Sequence, residues 1–341
     1  MAEPARVMAV GTVMVDVLAV GLPRIAEPGQ VVYAPREIES HIGGHPVDVA
    51  IDLAKLGYPA GSIGLVAAVG DGMYGSHVTE IIRGYDFATF LQAVSSHDTG
   101  KNVVLEVEGE DRRFHIDPGA NWFLDPAHVA DALERFAPQV LTLRPGYTGI
   151  DFHLADLLAD LAGVLVVLDI MQPHPSRPAD LVMPALPFVD IVHCNRSEAM
   201  TVTGAPTVEA AVTNLLERGP QMVLLTAGAR GAQVRTTAHT VTQPGFDVDV
   251  ADATGCGDAF CAGVIGWLTD HAPTPTRATL EELTTDRLGE LLAYAQAVGA
   301  SAATKTGCVE GVSHQVVEGL RAAQGWRVLA ATSTERELPG A

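Results

Sequence analysis

Lysine is almost missing from this chain: among 341 residues only Lys55, Lys101 and Lys305 carry that side chain, and the formal net charge is −20. So acidic a surface lacks the basic patches that hold nucleic acid or anionic membranes, and both partner classes are excluded on that ground. An anionic ligand has to be held locally, by backbone amides and a metal ion, against an unfavourable overall field. Cysteine is sparse too. Cys194, Cys256, Cys261 and Cys308 form no C-x-x-C pair and stand at no histidine spacing that suits zinc, so they read as buried reduced thiols. Cys256 is reactive only if the start of a helix lowers its pKa. No apolar run approaches the roughly 20 residues that span a bilayer. Residues 1–6 lack the apolar stretch of a secretory signal, so a cytoplasmic chain is expected. Aromatics supply only 5% of the residues, yet 48% are hydrophobic, enough at this length for one large α/β domain with a small accessory element.

What is present is a series of glycine turns at strand ends. The most informative reads Asp252-Ala253-Thr254-Gly255-Cys256-Gly257-Asp258-Ala259-Phe260. Residues 246–250 alternate apolar and acidic side chains and predict a short strand, and 258–268 predict an apolar helix. The first amides of a helix have no intrahelical acceptor and, with the helix dipole, favour an anion. Gly255 and Gly257 let backbone approach a phosphate, and Asp258 then lies where a carboxylate can take a proton from an attacking hydroxyl. An isolated G-x-G-D is more often a plain helix cap, so the rest of the chain has to decide.

Residues 7–13 read as a buried strand. Alternating, partly charged pieces at 15–20, 31–42 and 100–117 predict a half-exposed antiparallel sheet. From residue 137 the pattern becomes repeated strand and helix: strands at 140–143, 164–169, 189–194 and 222–226, helices at 152–161, near 179–184, 196–203 and 207–218. That alternation predicts a doubly wound, mostly parallel sheet, with ligands at the carboxyl ends of its strands, where Asp16, Asn195, Thr226 and Asp258 converge. Residues 326–341 show no sustained period and are expected to be poorly ordered. Gly70-Asp71-Gly72-Met73-Tyr74-Gly75 matches a dinucleotide fingerprint, but no strand ending in an acidic residue follows about 20 residues later, and a structural turn is the better reading.

The segment 252–260 resembles the C-terminal signature of the ribokinase-like (PfkB) carbohydrate kinases, D-[TA]-x-G-[AC]-G-D-x-F. Upstream, Gly43-Gly44-His45-Pro46-Val47-Asp48-Val49-Ala50 is similar to the family's G-G-x-x-x-N-x-A. Asn195-Arg196-Ser197-Glu198 is similar to its N-x-x-E, and Thr226-Ala227-Gly228-Ala229-Arg230-Gly231 to its T-x-G-x-x-G. These matches fall in order between residue 7 and about residue 312. The resemblance implies a single kinase domain over residues 1–325, with the antiparallel pieces forming a lid over the acceptor.

It also implies transfer of the γ-phosphoryl group of ATP to a hydroxyl of a small polyhydroxylated acceptor, with Asp258 as general base and the amides of Gly255, Cys256 and Gly257 as the anion site. Asn195, Glu198, Thr226, Gly228 and Gly231 fall on the nucleotide side, with Glu198 orienting Mg²⁺ through water. Asp252 and Thr254 match in part a monovalent-cation site, so K⁺ is a candidate cofactor. Asp16, Gly43, Gly44 and Asp48 fall on the acceptor side. Asp48 stands where the family has Asn, and an ionised carboxylate only accepts hydrogen bonds. Two carboxylates in one pocket favour a neutral acceptor, a sugar, a polyol such as inositol, or a nucleoside, unless Arg36, Arg112, Arg113 or Arg144 reaches in. His41, His45 and His115 are expected as solvated or packed side chains. A homodimer with paired lids is implied as well. The alternative is a catalytically silent binding protein of the same fold, and the retention of Asp258 argues against it.

Overall fold

The computed structural model describes residues 4–110 and 112–336. Its strands are β1 (Val7–Val10), β2 (Met14–Leu22), β3 (Glu39–Gly43), β4 (Ile63–Gly70), β5 (Ala88–Val94), β6 (Gly100–Val107), β7 (Arg113–Asp117), β8 (Val140–Leu143), β9 (Leu165–Asp169), β10 (Ile191–Asn195), β11 (Met222–Thr226), β12 (Ala232–Thr236), β13 (His239–Gln243) and β14 (Ser333–Arg336). The helices are α1 (His45–Lys55), α2 (Met73–Arg83), α3 (Pro126–Phe136), α4 (Leu154–Ala159), α5 (Arg196–Thr203), α6 (Val208–Leu216), α7 (Cys256–His271), α8 (Arg277–Glu281), α9 (Thr285–Ala302) and α10 (His314–Ala330).

Ten strands form one sheet in the order β14, β13, β12, β11, β10, β9, β8, β1, β4, β5. It is parallel from β11 to β5 and antiparallel beyond β11. Its strands are apolar on both faces because both faces are covered. Val7, Ile63, Leu65, Val140, Val167 and Leu224 point into a core built with α1, α2, α7 and α9. Their chain neighbours Met8, Val66, Leu141, Val166, Leu168 and Val223 point into a second core with α3 to α6. The chain leaves β1 towards β4 and β5 on one side and returns through β8 to β11 on the other, so the strand order reverses between β1 and β8. A crevice at the carboxyl ends opens at such a reversal.

The second sheet runs β3, β2, β6, β7. Its outer pairs are antiparallel and its central pair, β2 with β6, is parallel, so the predicted lid is of mixed orientation rather than wholly antiparallel. Of the piece expected at 31–42, only the end belongs to β3; residues 23–38 are irregular.

Three further expectations change. Residues 244–250 form no strand: Asp247 is instead tied by backbone and side chain to Gln324 and Arg327 of α10. The helix near 179–184 is a short 3-10 turn at Met183–Phe188, where Pro184 and Pro187 each remove an amide donor. The tail expected to be poorly ordered from 326 is helical to Ala330 and then adds β14 to the sheet, because β13 offers an open edge with which it pairs antiparallel. The rest of that tail, 337–341, lies outside the described residues. Gly70 and Gly75 pack against each other across a turn, where a Cβ on Gly75 would meet the Gly70 carbonyl at 1.8 Å, which agrees with a structural turn rather than a dinucleotide site.

Candidate active site

One cavity of about 1370 Å³ lies at the strand ends, bounded by the small sheet, the start of α1, the ends of β9 to β11 and the first turn of α7. Single small-molecule sites are roughly 300–1,000 Å³, so this one has room for two ligands side by side. Asp16, Gly44, Asp48, Asn195, Glu198, Thr226, Gly228, Gly231, Thr254, Gly255, Cys256, Gly257 and Asp258 all line it. Gly43 and Asp252 stand behind that wall. A Cβ on Gly43 would come within 2.4 Å of Asp16 Oδ2, so its smallness serves Asp16 rather than an approaching ligand.

The anion turn is a strained N-cap. Gly255 has φ 75°, and a Cβ there would meet the Cys308 carbonyl at 2.3 Å, so conformation and space both require glycine. At Gly257 a Cβ would make only ordinary contact, with His193 at 3.5 Å; its smallness answers to the cavity instead. Cys256 next to it is not activated. Burial, then Asp252, push its thiol up to about 12 against the pull of Arg112.

Asp258, 5% exposed, lines the cavity with two donors on the same oxygen. Oδ1 accepts from Arg144 Nη2 at 2.5 Å and from His45 Nδ1 at 2.7 Å. His45 is wholly buried, and its other nitrogen meets Thr142 Oγ1 at 2.7 Å. His45 is thus packed, one of the two expected states, and it also bridges Thr142 and Asp258 from the start of α1. Arg144 also donates through Nε to Asp169, which accepts from His193 Nδ1 at 2.5 Å. Burial alone would raise Asp169, but Arg144 and His193 hold it well below the usual carboxylate range. His193 Nε2 in turn lies 3.4 Å from Thr226 Oγ1, so a polar line joins Asp258 to the carboxyl end of β11.

Where the small sheet borders the cavity, Asn102 Nδ2 donates to Asp16 Oδ1 at 2.9 Å and the Cys308 thiol lies 3.4 Å from Oδ2. Burial raises Asp16 above the ordinary value. Asp48 Oδ2 accepts from the Gly44 amide at 3.2 Å, while its Oδ1, like Asn102 Oδ1, is buried with no partner. Burial, with the neighbouring charges of Asp258, Asp52 and Asp16, pushes Asp48 well above the carboxylate range against the pull of Arg144. A carboxyl that keeps its proton both donates and accepts, as an asparagine does. A protonated carboxyl offers one donor where an asparagine amide offers two, so the departure at this position costs a donor even when the proton is kept.

Asn195 and Glu198 close a capping box on α5: the Glu198 amide donates to Asn195 Oδ1 at 2.9 Å, and the Asn195 amide to Glu198 Oε2 at 2.7 Å. Glu198 remains a half-buried carboxylate on the cavity wall, a single oxygen donor of the kind that suits a Mg²⁺ ion keeping most of its waters. His45, Asp169 and Asp258 also lie within metal-binding reach of one another, but the Arg144 guanidinium already bonds both carboxylates. Asp252 and Thr254 do not fit a free monovalent cation, for Arg112 Nη1 donates to both. Sequence reasoning missed Asp169, His193 and Asn102, and treated Arg144 only as a reach towards an anionic acceptor. Asp169 and His193 were visible as polar residues at the ends of apolar strands; nothing local marked Asn102.

A doubly wound sheet with a glycine-built anion turn, a carboxylate at the helix start and a lid sheet over the crevice defines a phosphotransferase acting on a hydroxyl. The chain belongs to the pfkB family of carbohydrate kinases, whose model matches residues 4–315, and it is a phosphotransferase with an alcohol acceptor. A fructokinase of Klebsiella pneumoniae is 24% identical over 286 residues, covering 80% of this chain and 89% of its own length. A ribokinase of Mus musculus is 28% identical over 292 residues, 82% of this chain and 86% of its own. Among solved structures, a ribokinase from Giardia lamblia superposes with a TM-score of 0.80 at 20% identity, over 94% of this chain and 99% of that one. Arabidopsis thaliana ribokinase complexed with ribose and ATP gives 0.72 at 21% identity, over 93% and 99%.

Proposed function

We propose that this chain transfers the γ-phosphoryl group of ATP to a hydroxyl of a small neutral polyhydroxylated acceptor, a free sugar, a polyol or a nucleoside. One observation carries the reading: Asp258 lies in the first turn of α7, with the Gly255–Gly257 amides beside it, on the wall of one cavity that the Asp16, Asp48 and Asn102 cluster and the Thr226–Gly231 turn also line. The acceptor oxygen forms a bond to the γ-phosphorus as the bridging bond to the β-phosphate breaks. The hydroxyl proton passes to Asp258, whose two donors both occupy Oδ1 and leave Oδ2 for it. Such a transfer needs mainly positioning and charge neutralisation. The three amides hold charge on the transferred group, and Mg²⁺, held near Glu198, neutralises the phosphate oxygens when bound.

A neutral acceptor is favoured because the cations at its end are committed: Arg144 to Asp169 and Asp258, Arg112 to Asp252. The unpartnered Oδ1 atoms of Asp48 and Asn102 suit hydroxyl-bearing molecules, whose O–H groups donate and accept. A homodimer belongs to the same reading: Val31, Tyr33, Ile38 and Val103 stand exposed on and beside the lid sheet, and a second copy would cover them. A two-protomer mass in sedimentation supports that part, and a monomer at working concentration refutes it. The function is tested by Asp258→Asn. Turnover is expected to fall by about 10²–10⁴ while ATP binding persists, and a kcat near that of the wild type overturns the role given to Asp258.

A further inference from the structure

Asp252 is 4% exposed and its hydrogen-bonding sites are taken. Oδ1 accepts from the Thr254 amide at 2.9 Å, from Thr254 Oγ1 at 2.7 Å and from Arg112 Nη1 at 2.6 Å, and Oδ2 accepts from the Gly307 amide at 3.1 Å. Arg112 thus shares Oδ1, the oxygen that Thr254 also uses, and puts a fixed positive charge where a free cation would have to sit. Arg112 Nη1 also donates to Thr254 Oγ1, the second side chain that sequence reasoning offered to K⁺. The cation is therefore already there, and it is covalently part of the protein.

Its origin is what gives it a consequence. Arg112 lies immediately before β7, on the outer hairpin of the lid sheet, with its guanidinium 5.5 Å from the Phe114 ring centroid. Every residue of β7 is exposed, so the strand is not packed down on its own account. Asp252 begins the anion turn three residues before Gly255. Without a counter-ion its buried negative charge would oppose a phosphate at the Gly255–Gly257 amides. A lid that lifts takes the counter-ion with it, and a lid that closes restores it.

We propose that Arg112 is a built-in replacement for a monovalent cation at the anion turn, a positioning residue that makes the turn receptive to phosphate only when the lid is down. The kinase runs without K⁺, and lid closure and charge neutralisation of the turn are a single event. This rests on the kinase reading, so the test has an arm that does not need turnover.

Wild-type protein and Arg112→Met are compared in choline, Na⁺ and K⁺ chloride at equal ionic strength, by acceptor phosphorylation and by thermal melting. Wild-type rate and melting temperature are expected to be the same in the three salts. Arg112→Met is expected to lose about tenfold in kcat, less than the loss of a direct oxyanion donor. It is also expected to regain rate with K⁺ or added guanidinium and to melt higher in K⁺ than in choline. Arg112→Lys, which keeps a charge, is expected to lie between. A wild-type rate or melting temperature specifically raised by K⁺ overturns the proposal, as does an Arg112→Met variant indifferent to cation in both arms. If no acceptor is turned over, the melting arm alone decides.

Discussion

Asp48→Asn should stabilise this protein, and by an amount that grows with pH. Asp48 is buried in the first turn of α1, with Oδ1 unpartnered and Asp16, Asp52 and Asp258 as its acidic neighbours. Burial first, then those charges, raise its folded-state pKa well above the unfolded value, against the pull of Arg144. The sign follows: below about pH 4, the unfolded value, both states hold the proton and the carboxyl costs nothing. Above that the folded protein retains a proton that the unfolded chain releases. Stability then falls by about 1.4 kcal/mol per pH unit until the raised pKa is passed. Asparagine has no proton to retain, so the stability difference between Asp48→Asn and wild type should widen at that slope through the window. Urea unfolding at several pH values from the acid side to neutrality measures it, with m-values checked for constancy. The amide also keeps one donor and one acceptor, so acceptor KM near neutrality should change by less than about threefold. A stability difference independent of pH would show that Asp48 is ionised in the folded protein and would refute the argument. A large rise in KM at unchanged stability slope would mean that its charge itself is used.

Four other outcomes follow. Asp258→Asn should lower kcat by about 10²–10⁴, the usual contribution of a positioned proton acceptor, with ATP affinity retained by titration calorimetry. Asp16→Ala removes the partner of Asn102 Nδ2 and should raise acceptor KM about 10- to 100-fold; a main effect on ATP affinity would show the two ends of the cavity to be misassigned. Cys256, pushed up to about 12, should resist iodoacetamide at pH 8, and Cys256→Ala should keep near-wild-type rate; rapid alkylation would contradict the environment described. His41 joins β3 to the segment after α9 through Glu39 at 2.8 Å and Glu310 at 3.1 Å. Burial opposes its charge, but the two carboxylates hold it above the ordinary histidine value. Its contribution is present below that ordinary value and lost as pH rises through the raised one. The melting difference between wild type and His41→Gln should therefore be largest at the acid end and shrink towards alkaline pH.

The fold was legible where residues obey a local rule. The continuous apolar strands from residue 140 onward and the helix after Gly257 need only periodicity. The glycine turns at Gly44, Gly228–Gly231 and Gly255–Gly257 all come to one cavity. Illegible were features decided by partners distant in the chain. Residues 246–250 alternate as a strand would, yet α10 captures Asp247 through Gln324 and Arg327, about 80 residues later by chain position. The last segment looked shapeless because β14 borrows its pairing from β13. At the site, Asp258 and Glu198 could be found from their motifs, but the line through His45, Arg144, Asp169 and His193 could not. Each of those side chains owes its position to a different strand or helix end, and only the parallel sheet brings them together. Arg112 is the extreme case, a lid residue whose partner lies 140 positions away.

The measurement that bears most directly on the central claim is an ATP-consumption screen with Mg²⁺ over free hexoses, pentoses, inositols, nucleosides and a few phosphorylated sugars, run beside Asp258→Asn. The account predicts turnover with a neutral polyhydroxylated acceptor that is lost in the variant. A phosphorylated or acidic sugar as the preferred acceptor, or equal turnover by Asp258→Asn, would contradict it.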